Sequence, residues 1–229
     1  MLQLIDSKKK LFIYLFLLIF LTTINNQSLS NSGYLKLKIN QIKVYGLNDE
    51  SNFNISEEFN RLISQKNLFF INKDYFVKVL EKNNLVHSFK VRKIYPNTIE
   101  VEIQKTKFLA ITSYKENKFF IGSNGKLINF QSSDKNLPYV YGKIKIEEFI
   151  KFTEIVVSSK FNFEEISELY FFPSGRWDIK TNKGILIKLP QKNLLKILNL
   201  SHQMTTDDNF KNSKIIDLRI YSNVILTNE

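Results

Sequence analysis

From Ile99 to Gln104 the chain alternates strictly: Ile99, Val101 and Ile103 are apolar, while Glu100, Glu102 and Gln104 are polar. This is the cleanest period of two in the sequence, and it demands a β-strand with one face in a core and the other in water. Before it, Phe89 and Val91 alternate with Lys90 and Arg92, and Tyr95-Pro96-Asn97 turns the chain between the two runs. Antiparallel pairing would set a basic polar face against an acidic one, a contribution of about 0.2–1 kcal/mol per pair. Two amphipathic segments lie upstream. Ile55, Phe59, Leu62 and Ile63 fall on one helical face, and Asn54 with Glu57 reads as the capping box of that helix. Asn72 caps a second helix, with Phe76, Val77 and Leu80 inward and Asn83-Asn84 at its end. Leu68, Phe69, Phe70 and Ile71 make the connecting loop too apolar for water, and all four are expected beneath the helices. The opening strand, Leu35 to Gly46, changes phase between Ile39 and Ile42, so a bulge is expected near Asn40-Gln41. The order is strand, helix, helix, strand, strand, with two helices over one face of a three-stranded sheet.

The remainder, Phe108 to Glu229, mixes strands with two helices. Strand patterns occupy Phe108–Ser113, Lys118–Ile121, Leu169–Phe172, Arg176–Lys180 and Ile185–Leu189, with turns at Ser123-Asn124-Gly125 and Asn182-Lys183-Gly184. Pro138 and Gly142 bracket a short apolar piece. Lys145–Phe161 reads as a helix burying Phe149, Ile150, Phe152, Ile155, Val156 and Val157, and Lys192–Met204 as a second, leucine-rich one. The chain closes on a single expected strand, Lys214–Leu226, whose even positions from Ile216 onward are mostly apolar. Trp177, the sole tryptophan, is expected in the core.

The amino terminus sets the compartment. Lys8, Lys9 and Lys10 precede an unbroken apolar run, Leu11–Leu21. Lysines before such a run hold the terminus in the cytoplasm and place everything after about residue 25 across the membrane. The run is short against a hydrocarbon core of about 30 Å. Taken alone, it fits a cleavable signal ending at Ser28-Leu29-Ser30 as well as an uncleaved anchor extended by Asn25–Ser30.

The same residues exclude much chemistry. There is no cysteine, so disulfides, iron–sulfur clusters and thiol nucleophiles are ruled out. Histidine is limited to His87 and His202, and neither stands beside a nucleophile motif. The pairs Asp207-Asp208 and Glu147-Glu148 point to different faces and make poor metal or glycosidase sites. Gly122-Ser123-Asn124-Gly125 faintly resembles a phosphate loop, but no Lys-Ser/Thr follows and a hairpin turn suits it better. The expectation is a protein without cofactor, metal or catalytic residues. The net charge of +11 is carried almost wholly by lysine. No nucleic-acid-binding pattern accompanies it, so proximity to anionic lipid is the expected use and nucleic acid is not.

Seven pieces in this order resemble the FtsQ/DivIB family of bacterial division proteins. They are IKVYG (42–46), NLFFIN (67–72), VRKIYPNTIEVEI (91–103), IGSNGKLI (121–128), LPYVYG (137–142), GRWDIKTNKGILIKLP (175–190) and IDLRIYSNVIL (216–226). The resemblance implies an α+β chain with four parts: a cytoplasmic tail (1–10), a transmembrane anchor (11–30), a POTRA domain of βααββ order (35–106) and a mixed β domain with two helices (107–229). It further implies a non-enzymatic, single-pass inner-membrane scaffold at the division septum, with both folded domains in the periplasm. Such a scaffold binds FtsB-like and FtsL-like proteins and through them regulates the septal peptidoglycan synthase pair FtsW–FtsI. The family's FtsB contact carries over to Arg219, Ile220, Tyr221, Ser222 and Val224. Physical reasoning points the same way, because an edge strand presents unpaired N–H and C=O groups on which a partner strand can form. Arg219 suits a partner carboxylate, or equally Asp217 on its own strand face, and Tyr221 could equally be a surface aromatic of a packed sheet. The rival readings are a POTRA-bearing component of outer-membrane protein export, a secreted periplasmic binding protein, and a secreted β-rich hydrolase. The first lacks the strands of a membrane barrel, and the last lacks a catalytic cluster.

Overall fold

The alternation around Ile99 places a strand with one buried face at the centre of a three-stranded sheet. The computed structural model describes residues 7–23, 37–130, 136–210, 213–220 and 223–227. The chain divides into two compact units, Met1–Leu80 with Lys90–Glu102, and Glu81–Phe89 with Ile103–Glu229.

A three-stranded sheet is formed by β1 (Gln41–Tyr45), β2 (Val86–Ile94) and β3 (Thr98–Lys105) in the order β1-β3-β2, with β1 parallel to β3 from Gln41 opposite Thr98 to Tyr45 opposite Glu102. Ile99, Val101 and Ile103 are buried, and Arg92 reaches Glu102 at 2.6 Å, so the opposed basic and acidic faces do meet. The helices are α2 (Asp49–Ile63) and α3 (Asp74–Leu80), following the apolar α1 (Ser7–Thr23). Phe59 of α2 and Phe76 of α3 pack ring to ring at 5.1 Å in the core.

Four expectations for this region are corrected. The strand begins at Gln41 rather than Leu35, because the phase change at Asn40 marks its start and not a bulge within it; Leu35 itself lies outside the described residues. The cap of α2 is Asn48, whose side chain accepts from the Ser51 N–H, and Asn54 is inside the helix. On α3, Val79 takes the buried place expected for Val77, since the helix packs through Phe76, Val79 and Leu80 at i, i+3 and i+4. The apolar loop splits: Leu68 and Ile71 are buried, whereas Phe69 and Phe70 are 64% and 79% exposed. Leu68 to Phe70 form a 3-10 turn, and its tight winding sends consecutive side chains to different sides.

The second unit is built on a nine-stranded sheet in the order β12-β11-β10-β9-β8-β7-β4-β5-β6. Its strands are β4 (Phe108–Tyr114), β5 (Asn117–Gly122), β6 (Leu127–Asn129), β7 (Tyr139–Tyr141), β8 (Ile166–Phe171), β9 (Trp177–Thr181), β10 (Leu186–Lys188), β11 (Ile215–Asp217) and β12 (Ile225–Thr227). One row of register partners runs Val140, Leu169, Ile179, Ile187, Ile216, Leu226. All but Leu226 lie in the core, with Phe149, Phe152 and Val156 of α4 (Ile146–Ser158) and Ile197, Leu198 and Met204 of α5 (Leu194–Thr206). The adjacent row, Tyr141, Tyr170, Asp178, Lys188, Asp217, Ile225, belongs to the opposite face. Trp177 is buried, stacked on Phe152 at 4.6 Å and near Phe171 at 4.8 Å. Val157, expected inside, is exposed, because Phe149, Phe152 and Val156 already define the inner face of α4 at helical spacing. Gly142 holds φ +106°, and a Cβ there would stand 2.3 Å from the Phe171 carbonyl oxygen, so this junction needs glycine.

Among the described residues no helix is long and apolar enough to cross a membrane. The apolar helix α1 has 17 residues, and Leu11 to Leu21 are exposed all round it.

Candidate partner-binding edge

The last expected strand, Lys214–Leu226, is two strands. Ile216 faces Leu226 and Asp217 faces Ile225, so β11 and β12 are antiparallel and the chain reverses between them. Residues of like parity face one another, so the alternation of Ile216 and Leu218 continues into Val224 and Leu226 as though no turn intervened. Period-two reading is blind to such a reversal.

The reversal is built from local bonds. Leu218 ends the buried path, its N–H donating to the Lys188 carbonyl at 2.9 Å. The Arg219 N–H then donates to Asp217 Oδ1 at 3.1 Å, and its guanidinium grips the same carboxylate, Nε to Oδ1 at 2.8 Å and Nη2 to Oδ2 at 2.5 Å. These bonds to Arg219 hold the Asp217 carboxyl below the usual aspartate range, against the opposing effect of its burial. The Asn223 N–H donates to the Ile220 carbonyl at 3.1 Å and closes the turn. Nearby on the same face, burial raises Asp178 despite Arg176 at 3.1 Å. Burial, together with donation of its hydroxyl to Glu168, pushes Tyr170 up to about 12.

Of the residues expected to contact a partner, Arg219 and Ile220 sit in the link leaving β11, and Val224 stands just before β12. Tyr221 and Ser222 lie outside the described residues. Arg219 spends its guanidinium on Asp217, while Ile220 and Val224 are exposed. Among the described residues β12 has one neighbour, β11, so its other side is a free edge. Ile225 and Leu226 on it are 52% and 40% exposed.

Sequence reasoning missed what lies beside this edge. Val224 and Leu226 form one wall of an open groove of about 340 Å³, and Leu200, Met204 and Phe210 form the other. Gln203 and Asp207 supply its polar rim. Leucine enrichment identified α5 as a helix, but nothing in its spacing tells which strand it borders. An edge ladder flanked by an apolar groove can receive an extended segment and hold one or more of its apolar side chains. Among the described residues no His/Asp/Glu cluster suits a metal ion.

Comparison with known proteins finds two family matches. Residues 37–105 match the POTRA domain, FtsQ-type, and residues 110–219 match the Cell division protein FtsQ/DivIB, C-terminal family. The second match stops before β12. Among curated proteins, the chain is 25% identical over 151 residues to the cell division protein FtsQ of Rhizobium meliloti (strain 1021), covering 59% of this chain and 45% of that one. It is 30% identical over 94 residues to the cell division protein DivIB of Staphylococcus aureus (strain NCTC 8325 / PS 47), covering 40% and 20%. It is also 23% identical over 139 residues to the cell division protein FtsQ of Rhizobium radiobacter, covering 59% and 66%. The chain thus spans less than half the length of the first two relatives. A solved structure, the major extracytoplasmic domain of DivIB from Geobacillus stearothermophilus, matches at 14% identity and a TM-score of 0.33, covering 42% of this chain and 87% of that one. That superposition is too slight to bear on the fold.

Proposed function

The chain belongs to the FtsQ/DivIB family of cell division proteins, and on that premise we propose that it is a non-enzymatic scaffold of the division septum that recruits its partner by strand addition at β12. The partner is an FtsB-like protein, itself joined to an FtsL-like one, and through them the scaffold acts on an FtsW/FtsI-type peptidoglycan synthase. The protein is anchored in the inner membrane by residues 11–30, its N-terminus is cytoplasmic, and its two folded units are periplasmic.

The observation that carries this reading is the free edge of β12 with an apolar groove alongside. Main-chain bonds to the edge would supply affinity, each net bond contributing about 0.5–1.5 kcal/mol, and the groove would select the side chains. Arg219 acts by holding the reversal through Asp217 rather than by reaching the partner first. Ile220, Tyr221, Ser222 and Val224 are the further residues proposed to contact the partner. The lysines in the first turn of α1 and the exposed apolar surface that follows them support the anchor. A photo-crosslinking residue in place of Ile225, in living cells, tests the proposal. Capture of a small FtsB-like membrane protein is expected. Efficient capture from sites on β6, the opposite margin of the sheet, with none from position 225, would refute it.

A further inference from the structure

The exposed pair Phe69 and Phe70 has no role in the β12 site, and its position in the fold gives it another. The two rings meet edge to face at 5.7 Å and remain largely in solvent. Their turn is tied to the point where the chain arrives from α1. The Leu68 N–H donates to the Leu37 carbonyl at 2.6 Å, and Lys38 bridges to Asn67. Ile39 N–H donates to the Lys66 carbonyl at 3.0 Å. The tip of the β2–β3 hairpin joins the same end: Asn40 N–H donates to the Asn97 carbonyl at 3.0 Å, and Lys93 Nζ donates to the Phe69 carbonyl at 3.1 Å. Ile94 and Tyr95 at that tip are also exposed. One end of the first unit therefore gathers Phe69, Phe70, Ile94 and Tyr95 with Lys38, Lys66 and Lys93. Asp74, the nearest acid in sequence to the two phenylalanines, accepts a bond from the Asn72 side chain at 3.1 Å.

Only residues 24–36 separate Leu37 from α1, a tether that reaches at most roughly 50 Å. Aromatic and apolar side chains interleaved with lysines have the composition of a surface that sits in a lipid head-group layer, with rings at the interface and ammonium groups on anionic phosphates. We propose that this end of the first unit docks on an anionic bilayer surface through Phe69, Phe70 and Tyr95, with Lys38, Lys66 and Lys93 on lipid phosphates. The inference rests on the reading of α1 as a membrane anchor. Docking would fix the height and tilt of the first unit over the membrane.

The chain has no cysteine, so single cysteines take a fluorophore at one place. The full chain, reconstituted in phosphatidylcholine–phosphatidylglycerol vesicles carrying a shallow nitroxide lipid, is labelled as Leu15→Cys, Phe70→Cys or Glu57→Cys. Glu57 is exposed on α2, whose core-facing residues are Ile55, Phe59 and Ile63. Blue-shifted, quenched emission is expected at positions 15 and 70 but not at 57. The Lys66→Glu/Lys93→Glu pair should lower the quenching at 70 and leave that at 15 unchanged. Quenching at 15 with none at 70 overturns the docking inference while the anchor stands. Absence of quenching at 15 overturns the anchor reading itself.

Discussion

Removing Ser222–Glu229 separates what β12 contributes to folding from what it contributes to binding. On the folding side, Val224, Ile225 and Leu226 are each roughly half exposed. Full burial of such side chains is worth about 1.5–3 kcal/mol each, so the three together contribute about 3 kcal/mol. Ordering the backbone of the same residues costs about 1–2 kcal/mol apiece. The two nearly cancel, and the truncated protein should keep its cooperative melt, displaced by no more than about 2 kcal/mol. The binding side is lopsided. A partner strand loses every main-chain bond to β12, about three bonds at roughly 1 kcal/mol each, and loses the Val224–Leu226 wall of the groove as well. The dissociation constant for an FtsB-like periplasmic segment should rise at least about a hundredfold. Isothermal titration of full-length and truncated protein with that segment, beside thermal melts, measures both terms. Unchanged affinity in a truncated protein that still melts cooperatively would refute strand addition at this margin.

Three further outcomes follow from the structure. The Asp217 carboxyl is held below its ordinary value of about 3.9 by Arg219; its stabilisation is therefore complete above that pH and disappears as pH falls through the lowered value. Melts between neutral and strongly acid pH should show a steeper acid loss for the native protein than for Asp217→Asn, and parallel curves would contradict the pairing. Trp177→Ala should cost about 3–5 kcal/mol in urea unfolding, because the ring is buried among Phe149, Phe152 and Phe171, and a loss below about 1 kcal/mol would mean the core repacks there. Mass spectrometry of the protein from native membranes should find a chain starting at Met1 or Leu2, whereas a start at Asn31 would make the apolar run a cleaved signal.

How legible each part was depended on whether side-chain periodicity determines it. Ile99, Val101 and Ile103 were readable because their strand is buried on one face along its length, and the period of two reports that directly. The reversal between β11 and β12 was not, because equal-parity pairing preserves the alternation through the turn. Phe69 and Phe70 misled for a different reason: an apolar run states a preference for burial but not whether the 3-10 turn can satisfy it for every residue. Asn54 imitated a capping box because Asn followed by Glu three residues later also arises inside a helix, while the actual cap, Asn48, is marked by its bond to Ser51. At the candidate site, the strand pattern of Lys214–Leu226 was visible in the sequence, but the place of β12 at the sheet margin comes from the topology. The groove was not, since it arises where Leu200, Met204 and Phe210 happen to border Val224 and Leu226 in space. Nor did the sequence decide between a partner carboxylate and Asp217 for Arg219, because both offer the same chemistry and only the fold sets the distance.

The central claim is that β12 is completed by another protein's backbone, and amide hydrogen exchange at Val224–Thr227 tests it most directly. On addition of the FtsB-like partner the outward-facing amides among these, alternate along the strand, should slow strongly as they acquire carbonyl acceptors. Fast exchange persisting there in the saturated complex, with protection appearing elsewhere on the molecule, would contradict the account.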